Sequence, residues 1–405
     1  MGQDIAILRA LALQIAEIAV LPRQEKTRRM WSKLNGLKPD RPMVMIDQVC
    51  WNEMNIHDEL TLKCQDPELK NWERQLRQTL YTWKHLPTDC VIENFIRVPK
   101  AVHGYNNMGI HINEKLLESD ATNNTVSHAY VNQFKTMDDI AKIKTPVIVH
   151  DIAETDRREN LACEVFDGIL EVRMEGIDPY LSLWDILATW MSVEGALYAL
   201  ADNPDLIHAL TKRVVDCFMT GLDQLEEQGL LCGQQSWIHC TGAWTEELPT
   251  KPKKTNDIWM FGLAQMFSSV SPSMFEEFEI DTCMSLFERF GLVYYGCCDP
   301  LHLKMKEVRK IPNLRKVSIS PWADKQLGAK EIGSDFVFSY KPNPAFLAMT
   351  TFDEKLVRDD LMETVVICKE YGCPLEMILK DISTVKYEPQ RLWKWAEIAM
   401  EVVEN

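Results

Sequence analysis

Two thiols stand side by side at Cys297 and Cys298, at the end of the apolar run 291–297 and directly before Asp299. Other chemically capable side chains fall at comparable places, within or just beyond short apolar runs. They are His239 and Cys240 in 237–240, Asp324 after 316–320, Lys341 and Asn343 after 335–340, and Lys380 with Asp381 at the end of 375–380. Thiolate, imidazole and carboxylate are the ligands of zinc, which favours soft sulfur. Three of them from different segments, with one position left open, would make a catalytic metal site. The candidates are Cys297, Cys298, His239 and Asp381. No Cys-x-x-Cys pair occurs, so a structural zinc knuckle is not expected.

Each of these residues also has a plainer reading. Cys297 and Cys298 could be two small buried residues at a strand end. His239 could be a core histidine, and Asp381 a turn cap. Asp324 reads as a helix N-cap before it reads as a catalyst. Successive strand residues point to opposite faces, so in a regular strand only one of the two cysteines faces a given side. A second group is aromatic: Trp237, Trp244, Trp259, Phe261, Tyr294, Tyr295 and Trp322 lie on or beside the same runs. Such rings usually belong to the core. Several of them at one mouth would line a pocket for a flat, apolar substrate.

The elements that must position these side chains have a repeating grammar. The runs 291–297, 316–320, 335–340 and 375–380 each read as a strand followed by a helix. The third of these helices covers 353–371 and is stopped by Gly372, and the fourth covers 388–403 with Pro389 near its first position. Four consecutive strand–helix units imply parallel pairing with right-handed crossovers. Weaker strand candidates precede them at 41–46, 90–97, 146–150 and 237–240, and a helix is expected over about 204–227. The expected fold class is therefore α/β: a (β/α)8 TIM-type barrel over 41–405. It carries an N-terminal helical extension over 1–40, broken near Pro22 and started at Asp4, and an excursion around 101–145. In such a barrel the active site is built at the carboxyl ends of the strands, where the residues above lie.

Composition removes several function classes. The formal charge of −16 repels phosphate backbones, so nucleic acid is not an expected partner. No apolar stretch approaches the roughly 20 residues that span a bilayer. No secretory leader is recognisable, so a cytoplasmic chain with its 12 cysteines reduced is expected. Neither G-x-G-x-x-G nor a P-loop occurs.

The segment 267–278, with Ser271-Pro272, Phe275 and Phe278, resembles the helix start "SP-x-x-[FY]-x-x-F" of the uroporphyrinogen decarboxylase superfamily. The likeness runs from Arg41-Pro42 to the last helix. The superfamily's decarboxylases carry Met-Arg-Gln-Ala-Gly-Arg after the first strand. Here that stretch is 45–51 and lacks the arginines that would hold a porphyrinogen's carboxylates. Its corrinoid-dependent methyltransferases carry His-x-Cys on a late strand and a further Cys on the last. Here Cys297 matches, Tyr295 stands where the histidine belongs, and Asp381 is nearest to the second cysteine. The Gly-Cys-Cys-acid order is similar to methyltransferase components of corrinoid-dependent demethylation systems, including those acting on phenyl methyl ethers.

The resemblance implies transfer of a methyl group from a small methylated substrate to the Co(I) corrinoid of a partner protein, assisted by zinc. Cys297 or Cys298, Asp381 and His239 would hold the metal. Asp299, Lys341 or Lys380 would act as general acid or orient the substrate, and Trp237, Trp259, Tyr295, Trp322 and Asn343 would surround it. A homodimer is compatible with this size. Competing readings are corrinoid-to-thiol methyl transfer, a decarboxylase or lyase for a non-porphyrinogen acid using Lys341, Lys380 and Arg97, and a non-catalytic tetrapyrrole carrier.

Overall fold

The computed structural model describes residues 2–117 and 127–404. Part of the expected excursion, 118–126, lies outside the described residues. Eight strands matter for the site: β1 (Met43–Ile46), β2 (Phe95–Pro99), β3 (Glu171–Glu175), β4 (Trp259–Gly262), β5 (Leu292–Tyr295), β6 (Leu314–Ile319), β7 (Val337–Tyr340) and β8 (Leu375–Leu379). Six of them form one all-parallel sheet in the order β1-β8-β7-β6-β5-β4. β2 and β3 form a separate parallel pair. The chain is thus a mixed α/β protein around a central parallel sheet. Two contacts extend the sheet at its edges: Asp89 donates its backbone N–H to Val44 of β1 (3.0 Å), and Tyr180 bridges Phe261 of β4.

Alternation along the strands sorts the side chains into two layers. On one face Val44, Met260, Val293, Tyr295, Val317, Phe338 and Met377 pack in the main core with the helices. The opposite face carries Trp259, Phe261, Tyr294, Lys316, Ser339 and Glu376, and it is covered by a hairpin. In that hairpin Trp237–Ile238 pairs antiparallel with Thr241–Gly242. Thr241 Oγ1 donates to Glu376 (2.8 Å), Lys316 Nζ to the Gly242 carbonyl (3.1 Å), and Trp259 Nε1 to that of Ala243 (2.9 Å). The strand expected at 237–240 is therefore one arm and the tip of this hairpin. The tip residues His239 and Cys240 both have positive φ, 33° and 70°. Two-residue hairpin turns that match strand twist require this, usually with Asn-Gly.

Other boundaries follow local chemistry. The helix Pro204–Glu227 runs as its periodicity predicts. The helix Glu354–Tyr371 is capped by the Asp353 side chain and ended by Gly372 at φ 72°. Asp324 caps its helix by accepting from the Leu327 N–H (2.9 Å). The N-terminal helices are Gly2–Ala19 and Pro22–Asn35. Asp4 lies inside the first of them rather than starting it, and its carboxylate accepts from Gln65 and Asp66 N–H. The candidate at 146–150 shrinks to Val149–His150, paired antiparallel with Val102–His103 away from the sheet. Among the described residues, no single helix is long and apolar enough to cross a membrane.

Candidate functional site

β5 ends at Tyr295, and Gly296 then turns the chain at φ 91°. The turn is tight: a Cβ on Gly296 would lie 2.4 Å from Leu301 Cδ1. Gly296 N–H donates to Gly262 (2.8 Å), and Ser318 Oγ donates to the Cys297 carbonyl (2.8 Å). Past this turn strand alternation no longer applies. Both thiols therefore reach one cleft, where alternation had allowed one. Their sulfurs lie 3.5 Å apart, Cys297 buried and Cys298 exposed.

The cleft has a volume of about 290 Å3 and lies at the carboxyl ends of β5 to β8. Its wall brings together Cys297, Cys298, Trp322, Lys341, Asn343, Lys380 and Asp381, all read from the sequence as site residues. Pro321, Pro342 and Pro344 stiffen the rim. Trp322 is 69% exposed, so its ring is free to meet a ligand. Asp381, at φ 56°, accepts from Lys380 Nζ (2.6 Å), and its carboxylate lies 3.7 Å from the Cys298 sulfur.

Charge in the cleft is set by these contacts. The Cys298 thiol hydrogen-bonds the Cys297 sulfur, and the His239 imidazole and Lys380 ammonium also favour its anion; together they outweigh burial and lower the Cys297 pKa. The same contact with Cys297, with burial, raises that of Cys298. Burial opposes the Lys380 ammonium, but Cys297 and Asp381 more than compensate and raise its pKa. Lys341 differs. Its Nζ donates to Tyr294 Oη and Ser339 Oγ (the latter 2.7 Å), and Tyr294 Oη and Ser339 Oγ bond each other at 2.8 Å. Burial pushes its pKa down to about 8. A lysine near neutrality at a cleft wall is suited to giving or taking a proton. Of the two residues that hold it, Tyr294 is read from the sequence only as one of the aromatic group, and Ser339 is not singled out. The one signal is their place on the same alternate face of β5 and β7, two strands apart in the sheet.

Four expected site residues lie elsewhere, and a fifth, His239, adjoins Cys297 without lining the cleft. Tyr295 faces the helices, where its hydroxyl donates to Glu279 (3.0 Å), so it neither lines the cleft nor replaces a ligand. The reason is the period of two: Tyr294, not Tyr295, shares the face of the site. Trp259 is buried against the hairpin through Ala243. Trp237 lines a different recess. Asp299 is fully buried beneath the turn, with Oδ1 accepting from Cys297 N–H (3.3 Å), and burial raises its pKa. His239 stacks on Phe261, centroids 3.7 Å apart, and burial lowers its pKa.

Among the described residues, no group of three His, Cys, Asp or Glu side chains is placed to hold a metal ion. Cys297, Cys298 and Asp381 form a chain of contacts, and His239 Nε2 is buried without a hydrogen-bond partner. As they stand these residues do not fit a zinc ion.

None of the known protein-family models matches the chain, and no curated protein sequence does. The resemblance read from 267–278 thus has no family model behind it. A solved structure of a methyltransferase from Methanosarcina mazei is similar, with a TM-score of 0.50 and 12% identity. The match covers 93% of this chain and 98% of that one. At that identity the likeness is one of fold.

Proposed function

We propose that the chain is a methyltransferase that moves a methyl group from a small methylated substrate, a phenyl methyl ether, to the Co(I) corrinoid of a partner protein. The observation that carries this reading is the cleft itself. It unites a lysine of pKa about 8, an exposed tryptophan and two thiols at the carboxyl ends of parallel strands. The fold it shares with a methyltransferase over nearly its whole length supports the class. We also infer that the sheet belongs to a closed (β/α)8 barrel. The edge contacts of Val44 with Asp89 and of Phe261 with Tyr180 support closure through β2 and β3.

Phenolate is a poor leaving group unless its oxygen is neutralised as the methyl departs. In the proposed step the acceptor's electron pair forms the new bond to the methyl carbon and the carbon–oxygen bond breaks. The phenolate oxygen takes its proton from the Lys341 ammonium. Lys341 is then the catalytic acid, and Tyr294 and Ser339 are its positioning residues. Trp322 offers a face to the aromatic ring. Lys380, pinned by Asp381, keeps positive charge beside the developing oxyanion. Among the described residues no ligand set for a metal ion is assembled beside this step.

The test is demethylation of methoxybenzenes by the purified chain with a Co(I) corrinoid protein, followed by phenol release. Lys341→Met is expected to lower the rate about 10²–10⁴-fold. An undiminished rate in that variant would remove Lys341 from the chemistry. Absence of methyl transfer, with carbon dioxide released from a carboxylic acid instead, would replace the reading by the decarboxylase one.

A further inference from the structure

A second recess, about 400 Å3 in volume, opens between the end of β1, the segment leading into β2 and the helix Pro67–His85. It shares no lining residue with the cleft. Its charged lining residues are Asp47, Glu93 and Arg97. Arg97 is already committed: it pairs with Glu175 (2.6 Å) and Glu93 (3.4 Å) and donates to Ser236 Oγ (2.8 Å). Asp47 enters no ion pair among the described residues, and its carboxylate neighbours the Cys240 thiol at the hairpin tip. Two carboxylates against one engaged guanidinium leave the wall net negative.

The remaining character is aromatic. Trp51, Trp237 and Trp244 line the recess. Trp51 is braced edge-on by Tyr81, with centroids 5.9 Å apart, and Trp237 is 37% exposed. Phe95 on the same wall already carries the guanidinium groups of Arg97 (4.7 Å) and Arg173 (3.7 Å). Indole faces attract cations most when those cations are weakly hydrated. An anion would be repelled by Asp47, and a neutral ring would gain nothing from it. A small hydrated cation would lose its water against indole. A cation wrapped in methyl groups satisfies both halves of the wall.

We propose that this recess binds a quaternary ammonium group, caged by Trp51, Trp237 and Trp244 and countered by Asp47. The site stands on the recess alone and does not depend on the methyltransferase reading. Isothermal titration of the full chain at low ionic strength, with choline and its neutral isostere 3,3-dimethylbutan-1-ol, tests it. Choline is expected to bind about ten-fold or more tighter than the isostere. Asp47→Asn and Trp237→Ala should each weaken choline by about 3–30-fold, while Trp322→Ala in the cleft leaves it unchanged. Equal binding of the isostere, or no choline binding to the native chain, overturns the proposal. Loss of binding in Trp322→Ala would place the cation in the cleft and overturn it equally; both ligands are compared on the native chain, so the result does not hang on a variant's folding.

Discussion

Lys341 is the residue on which the proposed chemistry turns. Its Nζ is buried against two hydroxyls and makes no ion pair with a carboxylate among the described residues. Hydroxyls solvate an ammonium less well than water does, so burial lowers its pKa to about 8. The sign of the pH dependence follows. Below about 8 the ammonium is present and can donate; above it the neutral amine cannot. Ether demethylation should therefore fall as pH rises through about 8, approaching a ten-fold loss per unit. Lys341→Arg keeps the charge but removes the titration, so any activity it retains should be flat through pH 9. A wild-type profile with no alkaline limb would remove Lys341 as the acid. The Lys380 ammonium, raised by Cys297 and Asp381, stays charged throughout this window and supplies no limb.

At the scale of elements, the cleft depends on how β5 ends. Gly296 combines a positive φ with a Cβ position that Leu301 and Ser318 already occupy. Gly296→Ala should destabilise the chain by about 1–3 kcal/mol in urea denaturation, because both strain and overlap must be relieved. It should also separate the two sulfurs. The readout is loss of the paired reactivity of Cys297 and Cys298 toward a trivalent arsenical, which two neighbouring thiols bridge; unchanged stability and reactivity would show that the turn does not position them. This turn was only partly legible. The strands β5 to β8 and their helices were readable because apolar runs, caps and stops agree. β3 was not, because Glu171-Val-Arg-Met-Glu175 has three charges in five residues and lacks the continuous apolar run of the central strands. The run 237–240 reads as a strand because three of its four side chains are apolar, yet its backbone folds back at His239 and Cys240. The cleft residues Lys341, Lys380 and Asp381 were legible from the strand-end rule. Ser339, and the contact of the aromatic Tyr294 with Lys341, are not legible because they arise across strands, which no local pattern encodes.

Across the whole molecule, one buried ion pair joins the sheet to the hairpin that covers it. Lys316 of β6 and Glu376 of β8 meet at 2.8 Å with both side chains fully buried. Lys316 also donates to Gly242, and Glu376 accepts from Thr241 Oγ1, so both arms of the link are polar. The ammonium sits 5.5 Å from the Trp31 ring and 5.8 Å from that of Trp259, which offsets part of its lost hydration. Removing one partner leaves the other charge in a medium that cannot solvate it. Lys316→Met is thus expected to cost about 3–5 kcal/mol, whereas Lys316→Met with Glu376→Met should recover most of that loss. Equal destabilisation in the single and double variants would show that the pair stabilises the fold through its attraction rather than by satisfying two buried charges. The double variant has a second consequence at the cleft. The Glu376 anion raises the Lys341 pKa against the effect of burial. Without it the alkaline limb of demethylation should move to lower pH. A limb that stays in place while stability recovers would confine the ion pair to a structural role.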